Sequence, residues 1–382
     1  MGDLMRRYWH PVAASAELAT TSIKRIRLLG ESLVLYRDKK QRIGLLAEAC
    51  AHRGASLAQG VIEDRGLRCA AHSWLYDGQG ACLDQPLEPN GGVARREATT
   101  IAYPTQELGG LIFAYLGPEP CPLLPRYNLL VWNDAIRETN GSIIPCNWLQ
   151  VMENLLDPMH VEQLHGQYFA DVLDRKGGSE AAEFLEHHRP PPMKRIGFDL
   201  FDQGIIERHV ISDEDDVSWR VGTPSFFPTT SLLASRNRAS LVFIVPLDDT
   251  HTWFLLHMAE RTNRPVHQKA IPFFDVPGVD ANGAFMTGTA NGQDHMAVVT
   301  QGDIAARAGE HLGSSDAGIV MYREMLAGQM ERIEGGRDPM NVRRNRAENV
   351  IINGPGEQSG SEGADGWSRQ RQRRAARHAV AV

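Results

Sequence analysis

Short apolar runs broken by turn residues dominate the first third of the chain. Ser32–Arg37, Gly44–Ala47, Thr99–Tyr103 and Leu111–Leu116 are too short for helices and end near polar or glycine residues, so each predicts a strand. Turn signals at Tyr76–Gly80 and Pro89–Gly92 punctuate them. The pattern predicts a small all-β domain over residues 1–118, left through the Pro-rich stretch Gly117–Pro122.

Beyond that stretch the periodicity is mixed. A helical segment is expected over Asn147–His165, and strands over Gly204–Ile211, Val217–Val221, Ser240–Pro246 and Thr252–Ala259. A long helix is expected over Ser315–Glu334, stopped by Gly335-Gly336; Met321, Met325, Leu326 and Met330 recur there at helical spacing and read as core rather than as a metal box. Strands and helices in this order predict an α+β domain around an antiparallel sheet over residues 119–345. The Gly-, Ser- and Arg-rich remainder, residues 346–382, is expected to be a disordered, solvated tail.

Composition narrows the class. The chain has 382 residues, 42% hydrophobic and 23% charged, and a formal net charge of -7. It is long enough for two domains with real cores, and it lacks the basic excess of a nucleic-acid binder. It has no apolar run of membrane-spanning length, no apolar signal core after Arg6-Arg7, and no Ser or Thr at position 6 for myristoylation. A cytoplasmic enzyme without membrane or nucleic-acid partners is expected. Five cysteines in so long a chain do not make a disulfide framework, and they remain available to metal.

Two of those cysteines carry the first chemical signal. Cys50-Ala51-His52 and Cys69-Ala70-Ala71-His72 are Cys/His pairs a hairpin-sized interval apart. A structural zinc ion accepts both ligand types, but its usual layout pairs Cys with Cys and His with His. One Cys and one His per loop suits a binuclear cluster, with two thiolates on one iron and two imidazoles on the other. Neutral histidines in place of thiolates raise such a cluster to roughly -150 to +300 mV, which suits a one-electron relay.

In this pattern the sequence resembles the Rieske [2Fe-2S] proteins. The cysteines that respiratory-chain members add for a disulfide are absent from both loops, and Trp74, Tyr76 and Asp77 resemble the segment that follows the last ligand in Rieske oxygenases. One departure is Ala71-His72-Ser73, where the family usually reads Tyr-His-Gly. A tyrosine hydroxyl at 71 would donate to a ligand sulfur, so its loss predicts a potential at the low end for oxygenase clusters.

The second signal is Asp157-Pro158-Met159-His160 leading to His165. Histidines five residues apart lie about 140° apart on an ideal helix, at about 100° per residue. They share a metal only if the helix bends or ends between them, and Pro158 and Gly166 mark the segment as irregular. Asn147–His165 resembles the mononuclear-iron segment of the phthalate-type Rieske oxygenases. That resemblance implies Fe(II) held by His160, His165 and a distant carboxylate. Asp294, in Gly292-Gln293-Asp294-His295, is the expected third ligand; Asp303 is its competitor, and a helix cap is the bland alternative for Asp294. Asp157 reads as a helix N-cap before Pro158; the resemblance implies a second role for it, a hydrogen-bonded electron bridge between His72 of one subunit and His160 of the next.

The resemblance covers roughly residues 5–345 and implies a Rieske domain followed by a helix-grip catalytic domain. It also implies a terminal oxygenase that takes NAD(P)H electrons from a separate flavin/iron-sulfur reductase. Such an enzyme uses dioxygen to hydroxylate or oxidatively demethylate a small aromatic substrate, and it assembles as a homotrimer. An electron-transfer Rieske protein and a zinc-stabilised interaction protein are the rival readings. Phe226, Phe227, Trp253 and Phe254 are candidates for an aromatic pocket or for ordinary core.

Overall fold

The computed structural model describes residues 2–354 except 87, 90–96, 176–182, 184–191, 211–215, 235–237 and 263. Strands β1 (Trp9–Ala14), β2 (Ile23–Leu28), β3 (Glu31–Arg37), β4 (Ile43–Ala47), β5 (Val61–Glu63), β6 (Gly66–Arg68), β7 (Leu75–Tyr76), β8 (Cys82–Asp84), β9 (Thr105–Leu108) and β10 (Leu111–Tyr115) build the N-terminal part. They form three antiparallel sheets, ordered β1-β10-β9, β2-β3-β4 and β5-β6-β7-β8. Strand β3 shows why the uninterrupted apolar run Leu33–Tyr36 is needed. Its side chains alternate between two faces, and both faces are covered. Leu33 and Leu35 enter a core shared with the C-terminal part, whereas Val34 and Tyr36 pack beneath Cys50 and Cys69.

The C-terminal part is organised around an eight-stranded sheet among the described residues. Its strands are β11 (Ala135–Ile144), β12 (Arg195–Phe201), β13 (Gly204–Val210), β14 (Thr223–Phe226), β15 (Thr230–Ala234), β16 (Arg238–Pro246), β17 (Thr252–Arg261) and β18 (Phe273–Asp275). The order is β12-β13-β14-β15-β16-β17-β11-β18, antiparallel except for the β11/β18 pair. Alternation again decides the layers. Leu241, Phe243 and Leu255 join the core that holds Leu33, Leu35 and Leu45 of the N-terminal sheets. Val242 and Ile244 point the other way, onto helices Trp148–Leu155, Ala290–Val299 and Ala317–Glu334. The sheet therefore lies between the N-terminal part and a layer of helices, an α+β architecture as expected from the order of elements. Among the described residues no helix is long and apolar enough to cross a membrane.

Several local expectations change. Thr99–Tyr103 is not a strand: it makes an isolated bridge between Ala102 and Leu46, and Pro104, without an N–H, follows at once. Val217–Val221 lies in a helix, Asp216–Val221, not a strand. Gly222 at φ +63° ends that helix, and Arg208 takes up the carbonyls of Trp219 and Arg220. The expected tail begins too early. Ile352 bridges Tyr127 and joins the shared core, so residues 346–354 belong to the fold; residues 355–382 lie outside the described residues, as do Ile211 and positions 90–92 of the expected turn.

Candidate metal centres

Two loops of matching build present Cys50 and Cys69. The first joins β4 to the turn before β5, and the second joins β6 to β7. In each, the cysteine N–H donates to the carbonyl five residues on, Ala55 or Trp74, at 2.8 Å. In each, the cysteine carbonyl accepts from the N–H four residues on, Gly54 at 2.8 Å or Ser73 at 3.0 Å. Both of those fourth residues have positive φ, +76° at Gly54 and +60° at Ser73. The folded loops leave both sulfurs buried and turn the histidines outward: the rings of His52 and His72 meet edge to face, 4.6 Å between centroids, and His72 is exposed. Trp74 stacks on His52 at 4.5 Å.

The chemistry of this set fits a two-iron cluster. Nδ1 of His52 is buried without a hydrogen-bond partner, an orphan that a metal bond would satisfy. Among the described residues, a different trio is the one whose three ligand atoms lie within 4.8 Å of one another. No three of Cys50, His52, Cys69 and His72 converge in that way, as the bonds of about 2.0–2.3 Å to a single zinc would require. Burial pushes the Cys50 thiol up, and the Tyr76 hydroxyl, 3.3 Å from its sulfur, opposes that.

The converging trio is His160, His165 and Asp294. Asp157 caps the short helix Pro158–Glu162, its side chain accepting from the Met159 N–H at 2.8 Å, with Pro158 in the first turn. After Glu162 the chain widens into a π-turn, Gln163–Tyr168, before the helix Phe169–Arg175. Part of the step from His160 to His165 runs through this wider turn, whose hydrogen bonds span five residues instead of four, and the two histidines that a continuous α-helix would splay come to one side. Their ring centroids are 5.2 Å apart. Nε2 of His160 and of His165 lie 3.6 and 3.2 Å from the same oxygen, Oδ1 of Asp294. Asp294 sits inside the helix Ala290–Val299, whose N-cap is Thr289, so the capping alternative for Asp294 is excluded. Asp303 is exposed and outside the trio.

The outer partners fix how the trio is presented. Nδ1 of His160 contacts the Asp157 carbonyl, and Nδ1 of His165 lies 2.7 Å from Oε1 of Gln293. Asn154 donates to Asp294 Oδ1 at 3.1 Å. Both outward ring nitrogens therefore face acceptors, and both inward lone pairs face a carboxylate oxygen. Such a meeting of lone pairs calls for a cation, a metal ion or a proton. Burial disfavours the charged form of His165, yet Asp294 and Gln293 outweigh burial and raise its pKa.

Comparison with known proteins gives the family. Residues 8–103 match the Rieske [2Fe-2S] domain family. Over 361 residues the chain is 36% identical to the 5,5'-dehydrodivanillate O-demethylase oxygenase subunit of Sphingobium sp. SYK-6, covering 92% of this chain and 82% of that protein. The chain belongs to the Rieske non-haem iron oxygenases. The phthalate 4,5-dioxygenase oxygenase subunit of Pseudomonas putida is 32% identical, with coverage of 88% and 84%. Among solved structures, NdmA of Pseudomonas putida CBB5 shares the fold at a TM-score of 0.65 and 20% identity, over 87% of this chain and 92% of that one.

This Rieske oxygenase is thus an oxygenase component whose cofactors are a [2Fe-2S] cluster and a mononuclear iron. One expectation about it needs correction, and one open pair of alternatives is decided. Tyr76, fully buried, places a hydroxyl 3.3 Å from the Cys50 sulfur without any tyrosine at the exposed position 71, and the reason for a low potential disappears. Phe226, Phe227 and Trp253 are core residues, and Phe254 packs against the helix-side core. The sequence motifs contained Asn154 and Gln293 without marking them as functional. Their signal is only that each stands near a ligand or bridge residue.

Proposed function

We propose that Cys50, His52, Cys69 and His72 hold the Rieske cluster and that His160, His165 and Asp294 hold Fe(II) in an oxygenase acting on small aromatic compounds. The convergence of His160, His165 and Asp294 carries this reading, because a bare electron carrier has no use for two imidazoles and a carboxylate aimed at one point. When bound, the two groups supply single electrons and a site for dioxygen reduction beside the substrate. The chain's own residues do the rest. Asn154 holds the Asp294 carboxylate, the Asp157 carbonyl and Gln293 orient the two rings, and the exposed His72 edge is reachable by a neighbouring subunit. Asp157 serves as the hydrogen-bonded link between His72 of one subunit and His160 of the next, within a homotrimer fed by an NAD(P)H-dependent flavin/iron-sulfur reductase.

Oxidative demethylation of an aryl methyl ether is the favoured reaction, since the 36% identical relative is named an O-demethylase. Ring hydroxylation is the second reading, favoured by the dioxygenase name of the 32% identical relative. Reconstituted enzyme with a reductase and NADH is to be given a panel of methoxylated and unmethylated aromatics. Formaldehyde from the methoxylated members supports demethylation, and hydroxylated products alone support the second reading. A count of about three irons per chain fits the two centres; about two, with no oxygen uptake, would return the protein to an electron carrier.

A further inference from the structure

We infer that Gln293 is a positioning residue that sets the tautomer of His165, and through it the affinity of the mononuclear site. This rests on the reading of His160, His165 and Asp294 as metal ligands. Gln293 is 1% exposed and makes two hydrogen bonds. Its Nε2 donates to the Thr287 carbonyl at 2.8 Å, and its Oε1 faces His165 Nδ1 at 2.7 Å. A carbonyl can only accept, so the amide group cannot be turned over without setting its oxygen against the oxygen of Thr287. The side of Gln293 that faces His165 is therefore always an acceptor. Nδ1 of His165 must carry the proton, and Nε2 keeps its lone pair for the point it shares with Asp294. The other histidine is locked by different means: His160 faces a backbone carbonyl, which no side-chain substitution at 157 removes. The two rings of the site are thus held in the same tautomer, one by the main chain and one by a replaceable side chain. The segment that carries Thr287 is itself anchored, because Asn291 donates to the Val276 carbonyl at 3.0 Å and Met286 N–H to the Gly278 carbonyl at 2.9 Å.

The test uses the cluster-loaded protein with its mononuclear iron removed by chelation, titrated with Co(II) and followed by the visible bands of the bound metal. Gln293→Met keeps the volume and removes the acceptor. It should weaken Co(II) binding about 10- to 100-fold, the usual effect of losing such an outer partner. Gln293→Glu keeps an oxygen for His165 and, as the protonated acid, donates to Thr287. It should bind within about threefold of wild type at pH values where that acid stays protonated. If the methionine variant does not fold, judged by the cluster spectrum, Gln293→Ala carries the same expectation. Affinity within about twofold of wild type in the methionine or alanine variant overturns the inference, and so does a glutamate variant as weak as methionine, since packing alone then explains the loss. A wild-type protein that takes up no Co(II) fails at the ligand assignment instead.

Discussion

The two loops set different residues at one left-handed backbone position, and that difference has a measurable cost. Gly54 and Ser73 occupy the same place, four residues after their cysteines, and both adopt the left-handed region. A side chain there costs roughly 1–2 kcal/mol, which Ser73 bears and Gly54 does not. Ser73→Gly relieves that strain, and part of the gain, about 0.4–1 kcal/mol, is returned to the more flexible unfolded chain. The net stabilisation expected for the second loop is roughly 0–1.6 kcal/mol, centred near about 0.8 kcal/mol. Gly54→Ala is the mirror experiment. A Cβ at Gly54 meets nothing within 4 Å, so its cost is conformational alone, about 1 kcal/mol. About 1 kcal/mol changes an opening equilibrium roughly fivefold. If local opening precedes loss of the cluster, bleaching of its visible absorption in mild urea with a chelator should slow a few-fold in Ser73→Gly and quicken about fivefold in Gly54→Ala. A glycine variant at 73 that bleaches faster than wild type would refute the strain assigned to that loop.

Other expectations follow from named contacts. Asp157→Asn leaves the His160 ring lock intact, because that lock is the backbone carbonyl, so both metals should stay bound while turnover nearly vanishes; wild-type single-turnover rates would dismiss the bridging role. Tyr76→Phe removes the hydroxyl 3.3 Å from the Cys50 sulfur and should lower the cluster midpoint by roughly 60 mV, the one-electron equivalent of about 1.4 kcal/mol, measured by protein-film voltammetry. His10 is fully buried, and burial, opposed by a bond to the Met5 carbonyl, lowers its pKa to about 4. The neutral form is the native one, so its contribution is complete above about pH 6.5 and is lost as pH falls from there to about 4. The loss is about 3 kcal/mol at most, and His10→Gln should flatten the urea midpoint over that window; an unchanged slope would remove His10 from the account.

What the sequence disclosed depended on how local each signal was. The proposed cluster ligands stood out in the sequence because each loop is a contiguous stretch and its chemistry needs one Cys and one His at close spacing. The two histidines were legible as a motif but not as a geometry. Their shared side depends on the π-turn, and Pro158 and Gly166 indicated only that the helix was irregular. Asp294 was found by its resemblance, since nothing local distinguishes it from Asp303; the structure separates them by exposure and distance. Gln293 had no signal beyond its place beside Asp294, because the role inferred for it lies in which end of an amide meets Thr287. Val217–Val221 was misread because a short apolar run fits strand and helix alike, and the caps that decide it, Arg208 and Gly222, lie outside the window.

One core runs from Leu33, Leu35 and Leu45 of the N-terminal sheets to Leu241, Phe243 and Leu255 of the large sheet, and Ile352 near the end of the described chain closes onto it. The loops of Cys50 and Cys69 and the segment of His160 and His165 are therefore carried on parts that share one core rather than on beads joined by a string. Grafting the first 118 residues of a relative onto this chain would cut through shared packing and produce misfolded hybrids.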